Sequence, residues 1–384
     1  LVSGATISSN GTLTTQNISI TGKYYNLTIP QTSIEGKAFT GKIYVTNHSC
    51  STSEPAYITL LKDYGGKDNI TELPDSAFAN VTTASDKGMY AKADDYTATT
   101  GMKSYYYRGA VDNNWVKFGK DSTGKDIYWR IIRINGDGSI RMIYTGTTKP
   151  ESGTATVMTG TGTQITVDNR NTFDFYSSYN NPSYVGYMFT ASHQHGTSTS
   201  STIKTAIDNW YKTTTLETDA TTKELVSQDQ IFCNDRSASS TQTAAWTSTG
   251  AAYFYGAYGR LYKSKSPVLT CPTASDKFTV NTSNGNGALT YPVGLITADE
   301  VAMAGGVYGT SNSSYYLYTN QDYWLGSPNS FSDDSTGQVW IQNNSGDIIS
   351  RYVSKEAGVR PVISLSSKVK LLGSGTYDDV YTVS

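Results

Sequence analysis

The sequence predicts an α+β protein preceded by a small, sandwich-like all-β module, and three observations predict it. Short alternating strands punctuated by Gly, Pro, Asn and Ser fill positions 1–61. Hairpin patterns with turn residues that tolerate positive φ recur at 127–144 and 338–353. Two helical patterns lie between them, so strands and helices segregate instead of alternating as βαβ units. No repeat of fixed period is present.

The N-terminal module, 1–61, is read as strands at 12–20, 24–29, 37–46 and 57–61. Four or five strands make an incomplete sandwich, whose open edge can accept residues 6–20 of a neighbouring copy. A linker or irregular bridge is expected at 62–101, where apolar residues thin out around Gly65-Gly66 and Pro74. The third part, 102–384, opens on a hairpin. Its strands are 127–134 and 140–144, joined through Asn135-Gly136-Asp137-Gly138. A helix is predicted over 201–212, because Ile203, Ala206, Ile207 and Trp210 share one face and Ser200 or Ser201 can cap it. A shorter helix starts at Thr297. Glu300 completes its capping box and Gly305-Gly306 stops it. Strands return at 338–342 and 348–353 around the turn 343–347, then at 358–365, where Pro361 predicts an edge or strand-start position.

The chain has 384 residues, enough for a substantial core. Charged residues make up 16%, against about 25% in ordinary globular chains, and 30 Lys and Arg against 32 Asp and Glu leave a net charge of −2. No global field favours nucleic acid or anionic membranes. No apolar run approaches the roughly 20 residues of a membrane span. Tyrosine replaces charge, with 30 Tyr beside 10 Phe and 6 Trp. A tyrosine offers a rigid binding face with a polar tip, and it is equally a good strand former.

Cys50, Cys233 and Cys271 form no C-x-x-C pair, so neither a zinc knuckle nor thioredoxin-like chemistry is supported. Cys233 and Cys271 lie in one region and are expected to pair, which implies an oxidising compartment. Three buried free thiols are the other reading. Leu1-Val2-Ser3-Gly4 has neither the basic nor the apolar region of a signal peptide, so localisation is read from other features.

Catalytic patterns fail individually. Gly119 to Lys125 has phosphate-loop spacing, but Asp126 stands where Ser or Thr is needed and a strand follows. A calcium loop from Asn135 would place Ile140 at its glycine position. His193 and His195 lack a third strong ligand, and H-E-x-x-H and G-x-S-x-G are absent. Asp333-Asp334 and Asp378-Asp379 read as solvated turns. Asn10, Asn17, Asn26, Asn47, Asn69, Asn80, Asn281, Asn312 and Asn343 satisfy the glycosylation pattern, which chance supplies often in a Ser/Thr-rich chain.

Five ordered strings then carry a resemblance: 105–110 (Tyr-Tyr-Tyr-Arg-Gly-Ala), 128–134 (Tyr-Trp-Arg-Ile-Ile-Arg-Ile), 232–237 (Phe-Cys-Asn-Asp-Arg-Ser), 294–300 (Gly-Leu-Ile-Thr-Ala-Asp-Glu) and 358–363 (Gly-Val-Arg-Pro-Val-Ile). From about Tyr57 onward the chain resembles a large family of extracytoplasmic proteins from Gram-positive gut bacteria. The C-terminal part of that family is similar to the C-type-lectin fold shared with formylglycine-generating enzymes. Here the resemblance rests on 322–328 (Asp-Tyr-Trp-Leu-Gly-Ser-Pro) and on Val339-Trp340-Ile341 and Gly358-Val359-Arg360. It implies a lectin-like head with two main helices and functional loops at 313–323, 329–336 and 343–347. The enzymatic branch needs reactive cysteines before the closing strand, and none follows Cys271. Arg360 is expected to be a buried guanidinium paired with a carboxylate.

The reading is therefore a non-enzymatic extracellular or cell-surface protein without a cofactor or bound metal. Its expected partners are a glycan, a protein ligand or neighbouring copies of itself. Tyr316, Tyr318, Tyr323, Trp324, Asn343, Asn344 and Asp347 are the predicted contacts, aromatic faces for stacking beside directed hydrogen-bonding groups. The alternative is a subunit of a filament, pilus or coat assembled by strand addition through the N-terminal module.

Overall fold

A computed structural model of the chain describes residues 54–93, 103–247 and 251–384. These residues lie in one compact unit, His48–Ser384. The strands expected at 12–20, 24–29 and 37–46, the strand-adding segment 6–20 and Cys50 lie outside the described residues.

The segment 57–61 is helical and not a strand. Tyr57, Ile58 and Thr59 favour strands by propensity, but Pro55 sits at the N-cap of α1 (Ala56–Lys62), and Ala56, Leu60 and Leu61 bury one helical face. Propensity loses to tertiary packing. The stretch that follows is short on regular structure, with 3₁₀ turns at Asp75–Ala79 and Ala84–Asp86 before β1 (Gly88–Lys92). Its described residues bury Ile70, Phe78, Met89 and Ala91.

Strands β2 (Ser104–Arg108), β3 (Trp115–Lys120), β4 (Asp126–Ile134) and β5 (Ile140–Gly146) follow. The hairpin β4–β5 forms as its sequence dictates, with Asn135 N–H donating to the Ser139 carbonyl at 2.8 Å and Asp137 accepting from the Ser139 amide at 2.9 Å. Short elements come next: β6 (Thr172–Asp174), β7 (Met188–Phe189) and β8 (Thr199–Ser200). Helix α2 (Thr202–Tyr211) is capped by Ser201 and buries Ile203, Ala206, Ile207 and Trp210. Small helices α3 (Thr215–Thr218) and α4 (Ala220–Glu224) lead to β9 (Phe232–Cys233), β10 (Tyr253–Phe254), α5 (Gly256–Tyr258) and β11 (Lys277–Phe278). Helix α6 (Ala298–Ala304) has the full Thr297–Glu300 capping box and ends at Gly305 with φ 132°. The chain closes with β12 (Tyr323–Phe331), β13 (Gly337–Gln342), β14 (Ile348–Tyr352), β15 (Glu356–Gly358), β16 (Val362–Leu365), β17 (Leu371–Leu372) and β18 (Tyr381–Val383).

Two large, mostly antiparallel sheets result, beside the two-stranded pairs β9–β11 and β7–β8, an α+β arrangement. The larger runs β1-β2-β4-β3-β18-β17, with β5 beside β4 and β16 beside β5. The smaller runs β14-β13-β12-β15-β6, with β10 beside β12. Pro361 immediately precedes β16, as a residue without an amide donor should. The expected disulfide between Cys233 and Cys271 is present, with Cα atoms 5.8 Å apart. Among the described residues no helix is long and apolar enough to cross a membrane.

Charge is scarce in the sequence, yet Arg108, Arg130, Arg133, Arg141, Arg236 and Arg360 are fully buried. One carboxylate explains two of them. Arg133 and Arg141 face each other across β4 and β5, a like-charge pairing that costs stability unless neutralised. The Glu300 carboxylate lies 3.0 Å from Arg133 Nε and 2.7 Å from Arg141 Nε, while its other oxygen caps α6 at the Thr297 amide, 2.8 Å away. Burial pushes the Glu300 carboxyl up, but Arg141, Arg133 and the Thr297 amide outweigh that, so it sits below the usual carboxylate range. Arg108 solves the same problem with backbone. It donates to the Ala302 and Met303 carbonyls at 3.0 and 2.8 Å, at the negative end of α6.

Candidate functional site

The predicted contact residues separate into core and turn. Tyr316, Tyr323 and Trp324 are at most 1% exposed, so they cannot touch a ligand. Trp324 donates its indole N–H to the Phe173 carbonyl at 2.7 Å, and the Tyr323 hydroxyl bonds Gln342 at 2.5 Å. The physical reason is that β12 is buried along its whole length, both faces covered, and its Tyr-Trp-Leu run is core. Part of the loop expected at 329–336 is the end of that strand. Tyr318 is half-buried against the core. Asn343 builds the β13–β14 turn, its side-chain oxygen accepting from the Ser345 and Asp347 amides at 2.9 and 3.0 Å. Asn344 alone of the seven is exposed.

Arg360 is buried as expected, but its partners differ from expectation. It donates to the Tyr144 and Leu317 carbonyls, both at 3.0 Å, and to Thr145 Oγ1 at 3.2 Å, with its guanidinium 4.9 Å from the Tyr323 ring centre. Carbonyls and a ring face substitute for a carboxylate because a planar fork can be satisfied by several neutral acceptors.

An aromatic strip on the surface is the arrangement that sequence reasoning missed. Phe254 stacks on Tyr258 at 4.1 Å between ring centres, Tyr258 meets Tyr262 at 5.0 Å, and Tyr262 meets Tyr308 at 5.0 Å. Tyr308 then stands edge-on to buried Trp340 at 5.5 Å, which anchors the strip to β13. Tyr262 is 38% exposed, and Phe254, Tyr258 and Tyr308 are half-buried. Among the described residues no hydrogen bond engages the hydroxyls of Tyr258, Tyr262 or Tyr308, whereas the buried Tyr315 and Tyr323 hydroxyls both bond Gln342. Water or a ligand is the partner left to them. The missed signal was partly the spacing: Tyr258 and Tyr262 lie four residues apart across the start of the π-helical turn, while Phe254 joins them from the end of β10.

The chain holds the strip firmly from below. Phe254 is tied to β12 opposite Ser330, α5 follows, and the backbone continues as a π-helical turn, Gly259–Ser264. Arg260 points inward, its guanidinium bidentate to Asp299 at 2.8 and 3.0 Å and 2.8 Å from Asp235. Burial pulls the Arg260 pKa down, but Asp299 and Asp235 outweigh it and leave it raised. Two glycines permit this closeness. A Cβ on Gly256 would meet Asp235 Oδ2 at 2.6 Å, and one on Gly259 would meet Ser239 Oγ at 2.5 Å. Asp347 fixes the far end by accepting the Gly309 amide at 2.8 Å, which places Tyr308. Desolvation raises its pKa against three backbone hydrogen bonds.

Catalytic geometry is weaker elsewhere. His195 Nδ1 lies 2.9 Å from Asp276, but Arg236 already binds that carboxylate, and among the described residues no hydroxyl or thiol hydrogen-bonds the imidazole. His193 bonds only its own loop, at the Ala191 carbonyl. Among the described residues no three His, Cys, Asp or Glu side chains gather as a metal site. A narrow cleft beside the disulfide, lined by Cys233, Asp235, Arg260, Thr297 and Asp299, has its charges already paired with one another. No protein-family model matches the chain, and no curated protein or solved structure does either.

Proposed function

We propose that the chain is a non-enzymatic binding protein of the extracellular space or cell surface, and that its aromatic strip holds a saccharide chain. One observation carries this reading: four aromatic rings in continuous contact at the surface, with hydroxyls that the protein itself does not use. Ring faces present apolar surface to the C–H face of a sugar, and the free hydroxyls exchange hydrogen bonds with its edge. The rigid underpinning by Arg260, Gly256 and Asp347 reduces what must be ordered on binding. The Cys233–Cys271 disulfide supports an oxidising location. The two capped helices and antiparallel sheets support, at a coarse level, the lectin-like head that the sequence resemblance implies.

The test is a titration of the full chain with cellohexaose, laminarihexaose and oligogalacturonate, read by tyrosine fluorescence and calorimetry. Tyr262→Ala and Tyr308→Ala should each weaken binding by roughly tenfold, the loss of one well-placed aromatic contact. Unchanged affinity in both variants would remove the strip from the site.

A further inference from the structure

Two cations border the strip, and among the described residues neither forms an ion pair, although the Asp347 carboxylate acts on Lys265 through space. Lys263 Nζ lies 4.4 Å from the Tyr262 ring centre, and Lys265 Nζ lies 5.8 Å from that of Tyr308. Many lysines of this chain find carboxylates: Lys62 with Glu54, Lys87 with Asp112, Lys120 with Asp126, Lys204 with Asp208. Among the described residues, Lys263 and Lys265 have ring faces as their recorded partners and no ion pair. The nearby Asp347 carboxylate is turned to the Gly309 amide.

Lys265 is held where it is by backbone geometry. It ends the π-helical turn in the left-handed region at φ 54°, and the Ser266 amide returns to the Arg260 carbonyl at 3.0 Å. A non-glycine residue in this conformation is uncommon, and the turn fixes the direction in which the Lys265 side chain leaves the backbone. The strip thus pairs aromatic rings with two ammonium groups that lie against them.

Resting on the saccharide reading above, we infer that the ligand is an acidic glycan, whose sugar rings lie on Tyr258, Tyr262 and Tyr308 while its carboxylates or sulfates meet Lys263 and Lys265. Aromatic faces alone would accept any neutral sugar. The unpaired ammonium groups add charge complementarity, which a neutral chain leaves unused. An acidic peptide would satisfy the charges but offers no succession of C–H faces to the rings.

The experiment compares hexasaccharides of equal length on the full chain by calorimetry at low and physiological salt. Cellohexaose is the neutral arm, oligogalacturonate the carboxylate arm and a chondroitin sulfate hexasaccharide the sulfate arm, with hexaglutamate as a peptide control. Either acidic sugar should bind roughly tenfold tighter than cellohexaose at low salt, the order expected from two screened ion pairs at the surface, and lose most of that advantage as salt rises. Lys263→Gln with Lys265→Gln should abolish the preference, so that acidic and neutral hexasaccharides bind the double variant equally. Equal binding of neutral and acidic sugars overturns this inference and leaves the saccharide reading intact, as does a preference that survives the double variant. Hexaglutamate binding as tightly as the acidic sugars also overturns it. Binding of no saccharide overturns both readings.

Discussion

Two regions of this protein place cations against tyrosine rings, and they do opposite things. Inside, Arg130 lies 4.3 Å from the Trp115 ring and 5.2 Å from Tyr316, and Arg360 lies 4.9 Å from Tyr323. Outside, Lys263 Nζ lies 4.4 Å from the Tyr262 ring centre and Lys265 Nζ 5.8 Å from that of Tyr308. The interior guanidiniums donate to several fixed acceptors, such as Asn114, Thr156 and Val111 around Arg130. Even so, burial draws the Arg130 pKa down to about 9. An ammonium is a compact, strongly hydrated charge that lacks this planar fork, so the lysines stay at the rim. The lesson is that a tyrosine's role here follows from what satisfies its hydroxyl and its cation, not from its neighbours in sequence.

The sharpest way to break this contrast is to remove an interior partner. Glu300→Ala should lose about 3–5 kcal/mol in denaturant unfolding, because Arg133 and Arg141 then share a buried space without their carboxylate. Trp324→Ala should cost a similar amount, about 3–5 kcal/mol, as a buried aromatic deleted from a closed strand. If Trp324→Ala left the melting temperature unchanged, β12 would not be core. Breaking the disulfide with Cys233→Ser and Cys271→Ser should cost less, about 2–4 kcal/mol, for a bond closing a sequence separation of 38 residues.

Acid titration sharpens the same comparison through signs. The folded-state pKa of Glu300 is lowered, so its contribution is present above the ordinary glutamate range and is lost as pH falls below it. The folded-state pKa of Asp347 is raised, so its contribution runs the other way, present at low pH and lost as pH rises through its folded value. Stability measured against pH should therefore show a flatter acid limb in Glu300→Gln than in the parent. An unchanged limb would mean that the Arg133–Glu300–Arg141 cluster does not set it.

Local signals made much of the fold legible. Ser201 at a helix start, the Thr297–Glu300 box, the Asn135 to Gly138 turn and the Cys233–Cys271 pair are each decided within a few residues or by simple count. What failed depended on long-range burial. Tyr323 and Trp324 were expected as contacts at the end of the loop 313–323, but they open β12, which pairs with β13 and β15 and is buried at every position. Alternation vanishes when both faces are buried, so the strand left no periodic trace. Pro55 and the Ala56 to Leu60 spacing could have revealed α1, had they been weighed above β-propensity. The strip was legible only in part. Tyr258 and Tyr262 announce themselves by spacing, whereas Phe254 comes from β10 and Tyr308 from a distant loop tied down by Asp347.

The smallest expected effect on stability carries the most functional weight. Tyr262→Ala removes an exposed ring and should change unfolding free energy by no more than about 0.5 kcal/mol. A paired measurement of melting temperature and oligogalacturonate affinity on this one variant tests the account most directly. An unchanged melt with affinity lowered roughly tenfold is the predicted result. An unchanged melt with unchanged affinity would contradict it.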